Sequence, residues 1–132
     1  MKGIVFLGDK KLEIQNFVDP SPGPNDVIIE IKASGMCGSD LKFYRANNGP
    51  SSLGLGGDDK PVIAGHEPCG TIVEIGSNVP NKKFQLDTRV MQHHYEGCGT
   101  CSHCSTGWQQ LCIEGVKTVF GVIIPLNPIS HV

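Results

Sequence analysis

Residues 97–112 read GCGTCSHCSTGWQQLC and place Cys98, Cys101, Cys104 and Cys112 at the spacing C-x2-C-x2-C-x7-C. A thiolate is a soft, anionic ligand, and four of them around one ion make the closed tetrahedral site that zinc or an iron centre favours. The two-residue gaps let consecutive cysteines turn back onto one centre, and Gly97, Gly99 and Gly107 ease the backbone where it bends. A structural metal lobe follows from this pattern. A disulfide framework and unpaired thiols are the alternatives, because six cysteines allow many pairings and spacing excludes none of them. The first seven residues hold one lysine and a short apolar run, interrupted at once by Gly8, Asp9, Lys10 and Lys11, which is no export signal. In the reducing compartment this implies, structural disulfides are rare. Lysine and arginine are sparse around the cluster, against a nucleic-acid zinc ribbon.

A chain of 132 residues has room for one domain, 1–132, with a real core. Its 17 glycines and 9 prolines, beside 39% hydrophobic content, predict many turns between short strands. The formal net charge of -2 gives no pull toward nucleic acid or an anionic membrane. No apolar run approaches the roughly 20 residues that span a bilayer. A soluble, cytoplasmic protein is expected, with neither nucleic acid nor membrane as partner.

Residues 2–7 and 11–17 are β-prone runs separated by Gly8 and Asp9, which reads as a hairpin. Pro20, Pro22 and Pro24 make the next stretch a connector. Residues 26–33 alternate as a half-buried strand does, with Val27, Ile29 and Ile31 on one face. Ser39 or Asp40 then caps a short helix running to Arg45, which leaves Cys37 in the loop ahead of it. Residues 46–60 form a glycine-rich loop. Residues 70–79 alternate again, with Thr71, Val73 and Ile75 sharing a face, and end at Gly76-Ser77-Asn78. Residues 89–95 and 116–124 are further strands, the second ended by Pro125 and Pro128. About seven short strands and at most two helices point to a mainly β, barrel-like domain.

A second set of ligand types lies outside the cysteine run: Cys37, His66 and Glu67. Cysteine, histidine and carboxylate suit a zinc site that keeps one position open. His93, His94 and His103 lie near the lobe in sequence, but four thiolates already close a tetrahedral site, so none is assigned to zinc. Cys69 is read as a packed thiol, and Trp108 as packing over the lobe.

The motifs CGSD at 37–40 and GHEPCG at 65–70, with the four-cysteine run after them, resemble the N-terminal domain of zinc-dependent medium-chain alcohol and polyol dehydrogenases. The resemblance covers about residues 1–121 and implies a GroES-like, partly open β-barrel with short helices. It implies that Cys37 and His66 bind a catalytic zinc, with Glu67 a ligand that exchanges with water. It implies that Ser39 bonds the substrate oxygen and begins the proton relay, and that Asp40 orients His66. Cys98, Cys101, Cys104 and Cys112 become the structural zinc set.

The reaction implied is NAD(P)-dependent oxidation of a small alcohol or polyol to an aldehyde or ketone. CGSDLKFY is nearer the polyol branch, since Lys42 stands where ethanol-type members have the relay histidine. The nearest approach to G-x-G-x-x-G is GLGGDD at 54–59, with Asp59 at the third glycine and no strand before it, so it reads as a linker. No residue is therefore assigned to cofactor binding, and NAD or NADP is expected only with a nucleotide-binding domain that residues 1–132 do not supply. A truncated chain, inactive alone, is the first expectation. A non-enzymatic zinc-binding or interaction module is the second, either one forming homo-oligomers or associating with full-length relatives.

Overall fold

The computed structural model describes residues 1–49, 52, 62–63, 65–80, 82–116 and 118–119. The glycine-rich loop beyond Gly49 lies outside them except for Ser52, as do the GLGGDD stretch and everything after Val119. Eight strands, two short helices and a 3-10 turn are described, in three separate open sheets.

Strands β1 (Lys2–Gly8) and β2 (Lys11–Asn16) form the expected hairpin, and the short β4 (Val62–Ile63) pairs on the other side of β1. Asp9 and Lys10 make the turn, both at positive φ (49° and 61°). That conformation matches the twist of a two-residue hairpin. It also aims two N–H groups at the end of helix α1 (Gly38–Arg45): Asp9 N donates to Ala46 O (2.9 Å) and Lys10 N to Tyr44 O (2.8 Å). These bonds satisfy carbonyls that a helix end leaves without partners. Phe6, Phe43 and Ala46 are buried where α1 meets β1.

The second sheet has the order β3 (Val27–Gly35), β5 (Glu67–Ile75), β6 (Arg89–Met91). Its core is Val27, Ile72 and Val79, with Ile29, Ile75, Phe84 and Val90 against them. Val27, Ile29 and Ile75 face the core as expected, and the two expected faces are corrected only in part. Ile72 is fully buried while Val73 is 39% exposed, and Ile28 is buried while Ile31 is 47% exposed. Each strand holds adjacent β-branched residues, so alternation alone does not say which one faces inward, and register shifts at Ile28/Ile29 and Ile31/Ala33 turn the face over along β3. Ile72→Val should lower stability by about 1 kcal/mol, read as a lower urea midpoint at unchanged slope.

The strand expected over residues 89–95 is broken. β6 ends at Met91 and β7 (Tyr95–Glu96) joins β8 (Thr118–Val119) in a separate ribbon, so residues 92–94 cross between sheets. The lobe follows, with α2 (Ser102–Ser105) and the 3-10 turn Gln109–Leu111. Trp108, expected to pack over the lobe, is 56% exposed and follows Gly107 at φ +88°. Among the described residues, no helix is long and apolar enough to cross a membrane.

Candidate metal centres

The β3–β5 register sets Gly35 opposite Glu67, so Cys37, two residues past the end of one strand, and His66, one residue before the other, meet at the same end of the sheet. Cys37 Sγ lies 3.2 Å from His66 Nε2 and 3.0 Å from Ser39 Oγ. Sulfur and nitrogen bound to one zinc at about 2.3 and 2.0 Å would be about 3.5 Å apart, so this pair fits a shared ion.

Helix α1 holds the group in place. Its N-cap is Cys37, where Ser39 or Asp40 was expected: Ser39 N donates to Cys37 Sγ (3.3 Å), and Cys37 N donates to Asp40 Oδ2 (2.7 Å). A sulfur can take the capping role because the reciprocal carboxylate three residues on closes the box. Asp40, 1% exposed, also accepts from Gly65 N (3.2 Å) through Oδ1. Gly65 sits at φ +85°, and a Cβ there would meet Ser34 Oγ at 2.6 Å. Only glycine delivers His66 to Asp40 by this path. His66 is buried. Its Nδ1 lies 3.1 Å from Asp40 Oδ2, within ion-pair reach but without hydrogen-bond alignment. Both carboxylate oxygens are engaged by backbone N–H groups, so Asp40 supports His66 although its oxygen falls within 4.8 Å of the other two ligand atoms.

Glu67 stands apart. It is exposed, its carboxylate lies against Gly35, and it is outside the group formed by Cys37, Asp40 and His66. The residue that sequence reasoning missed is His94. Its ring meets His66 edge to face, with centroids 5.2 Å apart, and Tyr95 lies 4.1 Å away by the same measure. Burial first, then the charges of His66 and His93, holds its pKa below the usual histidine value, opposed by Glu67. Nearness to Cys98 in sequence suggested the lobe; the break between β6 and β7 puts His94 at the other centre. Gln92 crosses there too, with both side-chain amide atoms buried and unpartnered.

In the lobe the ligand atoms of Cys98, Cys101, Cys104 and Cys112 all lie within 4.8 Å of one another, with Cys98 and Cys104 Sγ 4.0 Å apart. Sulfurs around one zinc at about 2.3 Å stand about 3.8 Å apart, whereas a disulfide needs about 2.05 Å. The four-thiol set fits the ion. All six cysteines are free. Backbone N–H groups of Cys98, Cys101 and Cys104 donate to Cys112, Cys98 and Cys101 Sγ (3.3, 3.3 and 3.5 Å). Gly97 is fixed by contact: a Cβ would come within 2.5 Å of Cys104 Sγ. His103 is not among the grouped ligands.

Hydrogen bonds from Thr100, with that of Cys101, lower the Cys98 thiol to about 6. Backbone N–H groups of Cys104 and Ile113 also lower Cys101, whereas burial pushes Cys104 up to about 11. Cys104 must therefore shed a proton when an ion binds at any pH below about 11. Zinc affinity of the lobe should fall as pH falls, by about tenfold per unit for each proton displaced. The fall steepens below about pH 6, where Cys98 also holds its proton. Competition with a chromophoric chelator from pH 5 to 8 reads this slope.

A thiol–imidazole cluster at one end of a sheet, followed by a four-thiol cluster, gives two unlike groups of residues that could each hold a metal ion. The family model for the alcohol dehydrogenase GroES-like domain matches residues 23–124. L-idonate 5-dehydrogenase of Vitis vinifera is 39% identical over 109 residues, covering 83% of this chain and 28% of the relative. Sorbitol dehydrogenase of Bacillus subtilis is 35% identical over 112 residues, covering 85% and 30%. The cobalt and zinc bound thermostable alcohol dehydrogenase from Pyrobaculum aerophilum superposes with a TM-score of 0.72 at 26% identity, over 93% of this chain and 35% of that one. The chain belongs to the alcohol dehydrogenase GroES-like domain family. It spans about a third of the length of the curated relatives it matches.

Proposed function

We propose that this chain is the zinc-binding catalytic part of an NAD(P)-linked alcohol or polyol dehydrogenase. The observation that carries the reading is the approach of Cys37 Sγ to His66 Nε2 (3.2 Å), with the Ser39 hydroxyl 3.0 Å from the same sulfur. Cys37 and His66 would hold the catalytic zinc, and Glu67 would reach it by swinging off Gly35 and exchanging with water. Zinc there supplies Lewis acidity that makes an alcohol hydroxyl easier to deprotonate. Ser39 Oγ would hydrogen-bond the alcohol oxygen and begin a proton relay, taking the hydroxyl proton only as it hands its own onward, and Asp40 would keep the imidazole turned so that Nε2 faces Cys37. Hydride acceptance belongs to a nicotinamide, for which no residue of 1–132 is assigned. The four-thiol lobe binds a second, structural ion. The names of the L-idonate and sorbitol dehydrogenases support a polyhydroxylated substrate.

The reading is tested with cobalt(II) in place of zinc. A closed four-thiolate centre has no position for an alcohol, so any alcohol-dependent change in the cobalt ligand-field spectrum comes from the open site. That change should vanish in Cys37→Ser; a spectrum insensitive to alcohol, or a change that survives Cys37→Ser, contradicts the assignment.

A further inference from the structure

We infer that His94 is a third protein ligand of the ion at Cys37 and His66, which makes this centre a cysteine and two histidines with one position left open. The inference rests on the reading that Cys37 and His66 hold an ion, whatever the substrate. Among the described residues the grouped ligand atoms there belong to Cys37, Asp40 and His66, and both oxygens of Asp40 are engaged by backbone N–H groups. Glu67 is turned against Gly35. Two ligands remain, whereas zinc centres that keep a position open take three from the protein.

The ladder between β5 and β6 supplies the third. It pairs Thr71 with Arg89, Gly70 with Val90 and Cys69 with Met91, and Gln92 N donating to Pro68 O (3.1 Å) continues it by one pair. Two residues further, the same count sets His94 opposite His66. Opposed residues send their side chains to the same face of a sheet, and here the two rings meet with centroids 5.2 Å apart and planes at 65°. Two imidazoles on one zinc, each nitrogen at about 2.0 Å, hold their centroids about 5 Å apart. Cys37, His66 and His94 thus come from three neighbouring strands, β3, β5 and β6, at one end of the sheet. The nitrogens of His94 stand outside the group gathered within 4.8 Å, so its ring must turn about its own side-chain bonds to reach the ion. That ring is half-buried, and among the described residues no hydrogen bond holds it. Four thiolates close the lobe to His94, but they close nothing at this end of the sheet.

The test loads the chain with cobalt(II) and counts ligating histidines by proton NMR. Ring protons of an imidazole bound to cobalt are shifted far outside the ordinary range, ring-deuterated histidine identifies them, and the four-thiol lobe adds none. Two shifted histidines are expected, falling to one in His94→Phe and remaining two in His93→Phe. Cobalt affinity of this centre, read by chelator competition, should fall about a hundredfold in His94→Phe, at least as much as the loss of a residue that only orients a ligand. One shifted histidine in the unaltered chain, or two that persist in His94→Phe, overturns the inference and leaves the ion at Cys37 and His66 standing. No shifted histidine at all overturns that ion and the inference together.

Discussion

Cys101→Ser is expected to empty the lobe of its ion and unfold it while the remainder of the domain stays folded. The lobe has little else to hold it. Cys104 is its one buried apolar residue among those described, and Trp108, Leu111 and Ile113 are 56%, 55% and 67% exposed. Structural zinc in small domains contributes roughly 10–16 kcal/mol of apparent binding energy, most of which appears as folding. Serine isolates that contribution, because Cys101 is also the N-cap of α2, its sulfur accepting from Cys104 N at 3.5 Å. A serine hydroxyl caps a helix as well as any side chain, so what is lost is the ligand and not the cap. Amide exchange should rise in residues 97–116 and stay slow at Ile72. Protection across the lobe that survives the substitution would show that the four thiols do not share an ion.

The second large effect is expected at Asp40. Asp40→Ala removes the acceptor from two N–H groups, those of Cys37 and Gly65, at a site that is 1% exposed. Each buried donor left unpaired costs about 1–3 kcal/mol, so the substitution should cost about 3 kcal/mol in metal-free protein. Asp40→Asn keeps one oxygen and should cost about half as much. Urea denaturation in the presence of a chelator separates the two. Equal losses would mean that the oxygen asparagine keeps rescues neither N–H group, and the assignment of one backbone donor to each Asp40 oxygen would lose its basis.

What the sequence made legible was local. The cysteine spacing, the hairpin and a helix just past Cys37 each depend on residues a few positions apart, and each is present. What it left obscure depended on pairing across the chain. Ile72 and Val73 are equally apolar, and only the neighbouring strands decide which one is buried. Residues 89–95 look like one strand, yet Tyr95 pairs with Val119 and not with β5, and that switch of partner opens the gap that brings His94 to His66. The resemblance to the dehydrogenases named Cys37, His66, Ser39 and Asp40 in advance, and these four meet; Glu67 belongs to the same motif but is turned toward Gly35.

The central claim is that this chain carries two independent zinc centres of different kinds. Metal analysis of the purified chain by mass spectrometry tests it most directly. About two zinc per chain are expected, falling to about one in Cys37→Ser and about one in Cys101→Ser. A single zinc that Cys37→Ser leaves in place would contradict the account, because the open centre would then hold no metal.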